Sequence, residues 1–170
     1  VLPVTYSLIS ETNISGHEND YQKFNVSGSN VIVNDINGLD AGDYYFKINA
    51  IDANGYPDGG MESDTVHIVV GKTSLTAEFS PMNHTKKSIA EATSGWSEVV
   101  TTTPSNGVKV HYSVIGGDIG LIDIDENTGT IRYKGNGAFG RVVIKAVADD
   151  DSAGGKDNYE SAEATKEIII

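Results

Sequence analysis

Apolar and polar residues alternate along most of this chain, at the period of two that puts every second side chain on one face of a strand. Across 44–52, Tyr44, Phe46, Ile48 and Ala50 share a face, while Lys47 and Asn49 take the other. Across 108–114, Val108, Val110, Tyr112 and Val114 alternate with Lys109, His111 and Ser113. These are half-buried strands of the kind that build sandwiches. The pattern predicts strands at 4–9, 24–26, 31–33, 44–52 and 63–70, then at 74–79, 98–103, 108–115, 121–124, 130–133, 141–149 and 162–170. Helical periodicity is confined to 87–92, between Pro81 and Gly95. Turn chemistry punctuates the strands at Asn37-Gly38, Asn54-Gly55, Asn106-Gly107 and Asn127-Thr128-Gly129.

The order of these elements repeats. The stretch 40–52 runs through a turn rich in Gly, Pro and Asp into 65–70, and 141–149 runs through an Asp/Gly/Asn-rich turn into 164–170. A matching strand precedes each copy, at 4–9 and at 110–115. The repeat predicts two all-β domains in tandem, 1–71 and 72–170, each able to bury a core of its own. Their join falls near Gly71-Lys72 and is too short for free swinging, so a fairly stiff rod is expected. The first unit lacks a counterpart of 74–103, so its opening strands are expected outside this stretch of sequence. The opening Val1-Leu2-Pro3-Val4 likewise reads as the interior of something longer, with no signal peptide.

Composition narrows the function. Among 170 residues there are 24 acidic and 12 basic side chains, a formal net charge of −12. That field repels phosphate backbones and anionic lipid, so neither a nucleic-acid partner nor membrane insertion is expected. No run approaches the ~20 apolar residues that span a bilayer. Cysteine is absent, which closes the thiol route to catalysis. In an extracellular chain of this size it also points to a bacterial rather than an animal setting. Neither a Gly-x-Ser-x-Gly elbow nor a phosphate-cradling Gly-x-x-x-x-Gly-Lys loop occurs. His17, His67, His84 and His111 are scattered, without metal-ligand spacing. The chain reads as not an enzyme.

A family resemblance rests on Val110-His111-Tyr112-Ser113-Val114, the run Ile122-Asp123-Ile124-Asp125-Glu126-Asn127-Thr128-Gly129-Thr130-Ile131, Gly135-Asn136-Gly137, Asp157-Asn158-Tyr159 and the closing strand. In these the second unit resembles the immunoglobulin-like and cadherin-like repeats of bacterial surface proteins, including adhesins of the intimin and invasin type. The first unit resembles the same superfamily through Asp40-Ala41-Gly42-Asp43-Tyr44-Tyr45-Phe46, with Phe46 where a disulfide Cys would stand. The resemblance implies two tandem Ig-like, Greek-key β-sandwiches serving as stalk or adhesive modules. Tyr44 would pin its corner through the hydroxyl and Phe46 would fill the inter-sheet space. Tyr44, Phe46 and Tyr112 are thus expected to carry the fold.

Three groups of residues are candidates for contact chemistry. Trp96, the single Trp, lies among small polar residues and could stack on a sugar or anchor a partner, with Tyr56 and Tyr159 as weaker companions; a ring folded onto the sandwich edge is the preferred reading of Trp96. Asp123, Asp125 and Asn127 have the alternating oxygens that calcium uses. Thr128, however, occupies the position where an EF-hand has Gly, and Lys134 that of its bidentate Glu, so a turn is the preferred reading. Asp149 and Asp151, with Asp157, form a second acidic cluster, read as a solvated loop. No cofactor is expected. The third group is a Lys–Asn cross-link of the kind that stiffens Cys-free domains, with Lys47 and Lys145 the lysines between apolar neighbours; alternation turns both outward. Sequons at Asn13, Asn25 and Asn83 match what composition gives by chance.

The expectation is a stalk or adhesion module of a bacterial cell surface, outside the cell, contacting a host or neighbouring-cell protein or glycan and adjacent repeats of its own chain. A carbohydrate-binding or accessory module of a secreted glycan-active enzyme is the competing class.

Overall fold

The computed structural model describes residues 3–34, 39–81, 84–151 and 157–170. The Asn37-Gly38 turn and the Asn83 sequon lie outside them. The chain is all-β apart from short helical turns, and it divides into two compact units, Val1–Lys72 and Thr73–Ile170.

Unit 1 contains β1 (Val4–Ser10), β2 (Phe24–Ser27), β3 (Asn30–Val33), β4 (Gly42–Asp52), β5 (Met61–Glu62) and β6 (Val66–Val70). The long β4 is the centre of its sheet. β1 pairs antiparallel with it from Val4↔Asp52 to Ser10↔Phe46, while β5 and β6 pair with it at Ala50↔Met61 and Phe46↔Val66. The strand expected over 63–70 is therefore two pieces, broken where Ser63 turns its hydroxyl to accept the Ile48 N–H at 3.0 Å. The β2–β3 hairpin supplies the other layer. Its Phe24 meets Tyr44 edge-on at 5.6 Å and Phe46 at 5.1 Å, and these three rings are the buried centre of the unit. The alternation in β4 put Tyr44 and Phe46 on that face, and the Tyr44 hydroxyl donates to the Asp40 carbonyl at 2.7 Å, pinning the corner. A 3-10 turn at Asp20–Lys23, absent from the sequence reading, leads into β2.

Unit 2 opens with β7 (Thr73–Ser74), β8 (Thr76–Ser80) and β9 (His84–Lys86), followed by the helix α1 (Ile89–Thr93). The Ser88 hydroxyl accepts the Glu91 N–H while the Glu91 carboxylate accepts that of Ser88, a capping box that starts the helix. Then come β10 (Trp96–Ser97), β11 (Val99–Thr103), β12 (Val108–Gly117), β13 (Ile122–Ile124), β14 (Thr130–Tyr133), β15 (Arg141–Asp150), β16 (Tyr159–Glu160) and β17 (Ala162–Ile169). One layer has the order β12-β15-β17-β9, and the facing elements are β10-β14-β13 and β11-β8. Between them Phe79, Tyr112, Ile122, Ile131, Val142, Ile144 and Ile168 form one core.

Two pairings in unit 2 are parallel: Thr73↔Tyr159 at the start of the closing segment, and His84–Lys86 alongside Glu167–Ile169 at its end. The strand expected over 74–79 is cut at Leu75, which turns inward and lets β7 and β8 join different partners.

Candidate functional site

The candidate contact residues are held in separate places. Tyr56 is 74% exposed on the loop between β4 and β5. Tyr159 is half-buried; its hydroxyl donates to the Asn106 carbonyl at 2.9 Å and its N–H to Asp150. Trp96 is half-buried against the core of unit 2, with the Lys87 ammonium 5.9 Å from its ring centroid. Its indole N–H donates to Glu98 Oε1 at 2.9 Å.

The carboxylates of the β13–β14 turn are occupied by the turn itself. One oxygen of Asp125 accepts the N–H groups of Asn127 and Thr128 at 3.0 and 2.8 Å. Asp123 lies 3.5 Å from Lys134. The Thr128 side chain and these backbone donors hold the Asp125 carboxyl below the usual carboxylate range. A group depressed in the folded state stabilises above its unfolded value, and that stability is lost as pH falls through the folded value. Asp125→Asn is therefore expected to flatten the acid limb of the unit 2 stability profile and to leave the neutral-pH side little changed. Denaturant titrations from neutral pH down through the carboxylate range check this.

In the second acidic cluster, Asp149 accepts the Asp150 N–H and Asp151 donates its own to the Gly107 carbonyl. Among the described residues no three His, Cys, Asp or Glu side chains converge as metal ligands would. The histidines engage singly: His17 meets Asp20 and His67 meets Asp43, each at 2.7 Å, and His67 stacks on Tyr45 at 4.3 Å.

Lys47 and Lys145 face outward, toward Glu62 at 3.6 Å and Glu163 at 3.0 Å. Lys47 also approaches Glu11, 3.8 Å away, a buried carboxylate of unit 1. The Thr65 hydroxyl first, then the Asn13 N–H and the Lys47 ammonium, hold the Glu11 carboxyl below its ordinary value.

The densest chemistry lies where sequence reasoning did not look, between the layers of unit 2. Lys166 Nζ stands 2.6 Å from Glu98 Oε2, with side chains 0% and 4% exposed. Glu98 sits at the β10–β11 junction, where its own N–H donates to the Gly129 carbonyl. Gly129 is required there: at φ +65° a Cβ would stand 2.6 Å from the Glu98 carbonyl and 2.9 Å from the Tyr112 ring. Lys166 lies over the Phe79 ring at 5.6 Å. Burial, and secondarily the Glu98 charge, push the Tyr112 hydroxyl up from its usual value, against a Val100 backbone bond that lowers it. The signal was in the alternation. Lys166 shares the inward phase of β17 with Ala164 and Ile168, and Glu98 that of Trp96 and Val100.

No family model and no curated protein matches the chain. Solved structures similar to it include cadherin ectodomain repeats. The EC1-4 segment of Drosophila N-cadherin matches at 15% identity with a TM-score of 0.38, covering 99% of this chain and 41% of that one. Mouse cadherin-23 EC22-24 matches at 19% and 0.41, covering 98% and 53%. Human protocadherin-24 EC1-2 matches at 16% and 0.41, covering 98% and 81%. The chain thus spans about two fifths of the length of the first of these. Identities and scores at this level assign it to no family.

Proposed function

We propose that this chain is a non-catalytic stalk and adhesion module of a bacterial cell-surface protein, formed by two tandem Ig-like sandwiches that stand outside the cell. The observation that carries this is the parallel pairing in unit 2. Chain entering through β7 lies beside the start of the closing segment, and chain leaving at Ile169 lies beside β9. Parallel neighbours advance in one direction, so the unit is entered at one end and left at the other. β17 alone covers roughly 25 Å at the ~3.3 Å rise of a strand. A unit of that kind extends an array each time it is repeated. The acid-rich composition keeps such an array dispersed, and end loops remain for recognition of a host or neighbouring-cell protein or glycan.

The same pairing makes a mechanical test. Tension applied through both ends of unit 2 loads the β9–β17 bonds together, as shear. Lys87→Pro removes the Lys87 N–H that donates to the Ile169 carbonyl at 2.9 Å. In single-molecule stretching the substitution is expected to lower the unfolding force of unit 2 and leave that of unit 1 unchanged. An unchanged unit 2 force argues against the load-bearing role. A glycan array with wild type and Tyr56→Ala examines the competing carbohydrate module. Saturable binding lost on substitution replaces the stalk reading.

A further inference from the structure

We propose that Glu98 and Lys166 condense into an intramolecular amide, a covalent bond joining the two layers of unit 2. The reactants are in place: Nζ lies 2.6 Å from Oε2, both side chains are shut away from water, and the partners are 68 positions apart in sequence. The other carboxylate oxygen is fixed by the Trp96 indole N–H at 2.9 Å. An ion pair accounts for the contact but serves the ammonium poorly. A protonated lysine offers three donors, and among the described residues the Lys166 side chain has one hydrogen-bond acceptor, Glu98 Oε2, beside an aromatic face. Two charges in a dry interior are also costly to keep. The amide has no charge and one N–H.

The chemistry balances without a co-reactant. Lys166 passes a proton to Glu98 Oε2, leaving a neutral amine and a neutral acid. The nitrogen lone pair attacks the carboxyl carbon Cδ, and negative charge develops on Oε1, where the Trp96 N–H stabilises it as an oxyanion donor does. A second proton moves from nitrogen to Oε2, the Cδ–Oε2 bond breaks, and one water leaves. The product is a Cδ–Nζ amide. Fixed proximity supplies the drive, since well-oriented intramolecular partners behave as if present at about 10⁵ M or more. In a chain without cysteine, this bond would tie β17 to the opposite layer.

Intact mass spectrometry of the purified chain tests it. The wild type is expected one water lighter than its sequence mass, with a digest peptide pair joined through residues 98 and 166. Glu98→Gln should reach the same final mass by expelling ammonia in place of water, and Lys166→Arg should stay at its sequence mass. Trp96→Phe lacks the indole donor, and the unreacted form should disappear roughly a hundredfold more slowly after refolding. A wild-type mass equal to the sequence mass after prolonged incubation of the folded chain overturns the proposal. So does a lost water that maps to the Asp58-Gly59 turn instead.

Discussion

Phe46→Ala is expected to unfold unit 1 while unit 2 stays folded. Phe46 is fully buried and touches Phe24, and with Tyr44 these rings are the only buried large apolar groups among the described residues of the unit. Truncating such a ring costs about 3–5 kcal/mol, part in lost transfer energy and part in the cavity left behind. A unit of this size holds on the order of 4–10 kcal/mol in total. The surrounding residues, among them Leu8, Ile48 and Val66, are only partly buried. They can relax into the gap, but they cannot replace the ring. The two units can be watched separately because the single Trp lies in unit 2. The Trp fluorescence transition should stay where it is in wild type, while circular dichroism loses an earlier, distinct component. A joint shift of both signals would show that the units do not unfold independently.

Lys166→Met is the second large effect, and it acts on the other unit. Removing the lysine strands the Glu98 carboxylate in the interior with the Trp96 N–H as its remaining side-chain donor. Where the pair is unreacted, breaking it from one side costs about 3–5 kcal/mol. The comparison that isolates this cost is Glu98→Gln combined with Lys166→Met. Both variants lack the amide proposed above, so the difference between them reports the stranded charge alone. The double variant is expected to recover roughly 2 kcal/mol, since a neutral amide is cheaper to bury than a carboxylate. Denaturant titration read by Trp96 fluorescence measures both. Equal stabilities would mean that water or a neighbouring group reaches Glu98.

Alternation carried most of the architecture. The strands containing Tyr44, Phe46, Tyr112 and Ile144 were legible because both of their faces keep phase over many residues, so one side must be buried. The Tyr44 corner and the Asn127-Thr128-Gly129 turn were legible because their chemistry is local: a hydroxyl reaching four residues back, a carboxylate closing on the next amides. The short strands around Thr73, His84 and Trp96 were not. Each is defined by a partner far along the chain rather than by its own pattern.

The Glu98–Lys166 pair was missed for the same reason. A lone charge on an inward phase reads as a defect in the pattern until its counterpart is found, and here that counterpart is 68 residues away. Trp96 had two readings, a contact ring in a loop of small polar residues and a ring folded onto the sandwich edge; it packs on the core of unit 2 and its N–H is committed to Glu98.

The position of β17 has a consequence for how the chain acquires its structure. β17 is the last strand in sequence but an interior one in its sheet, between β15 and β9. Unit 2 therefore cannot close while its final residues are still inside the ribosome, since its β9–β17 pairing joins strands separated by most of the unit. High contact order of this kind slows folding. Unit 1 has no such dependence on later sequence, since β4 already has β1 beside it and β6 follows by residue 70. Synthesis order then becomes assembly order: β1, β4 and β6 of the first unit can pair while the second waits, open and acidic, for β17.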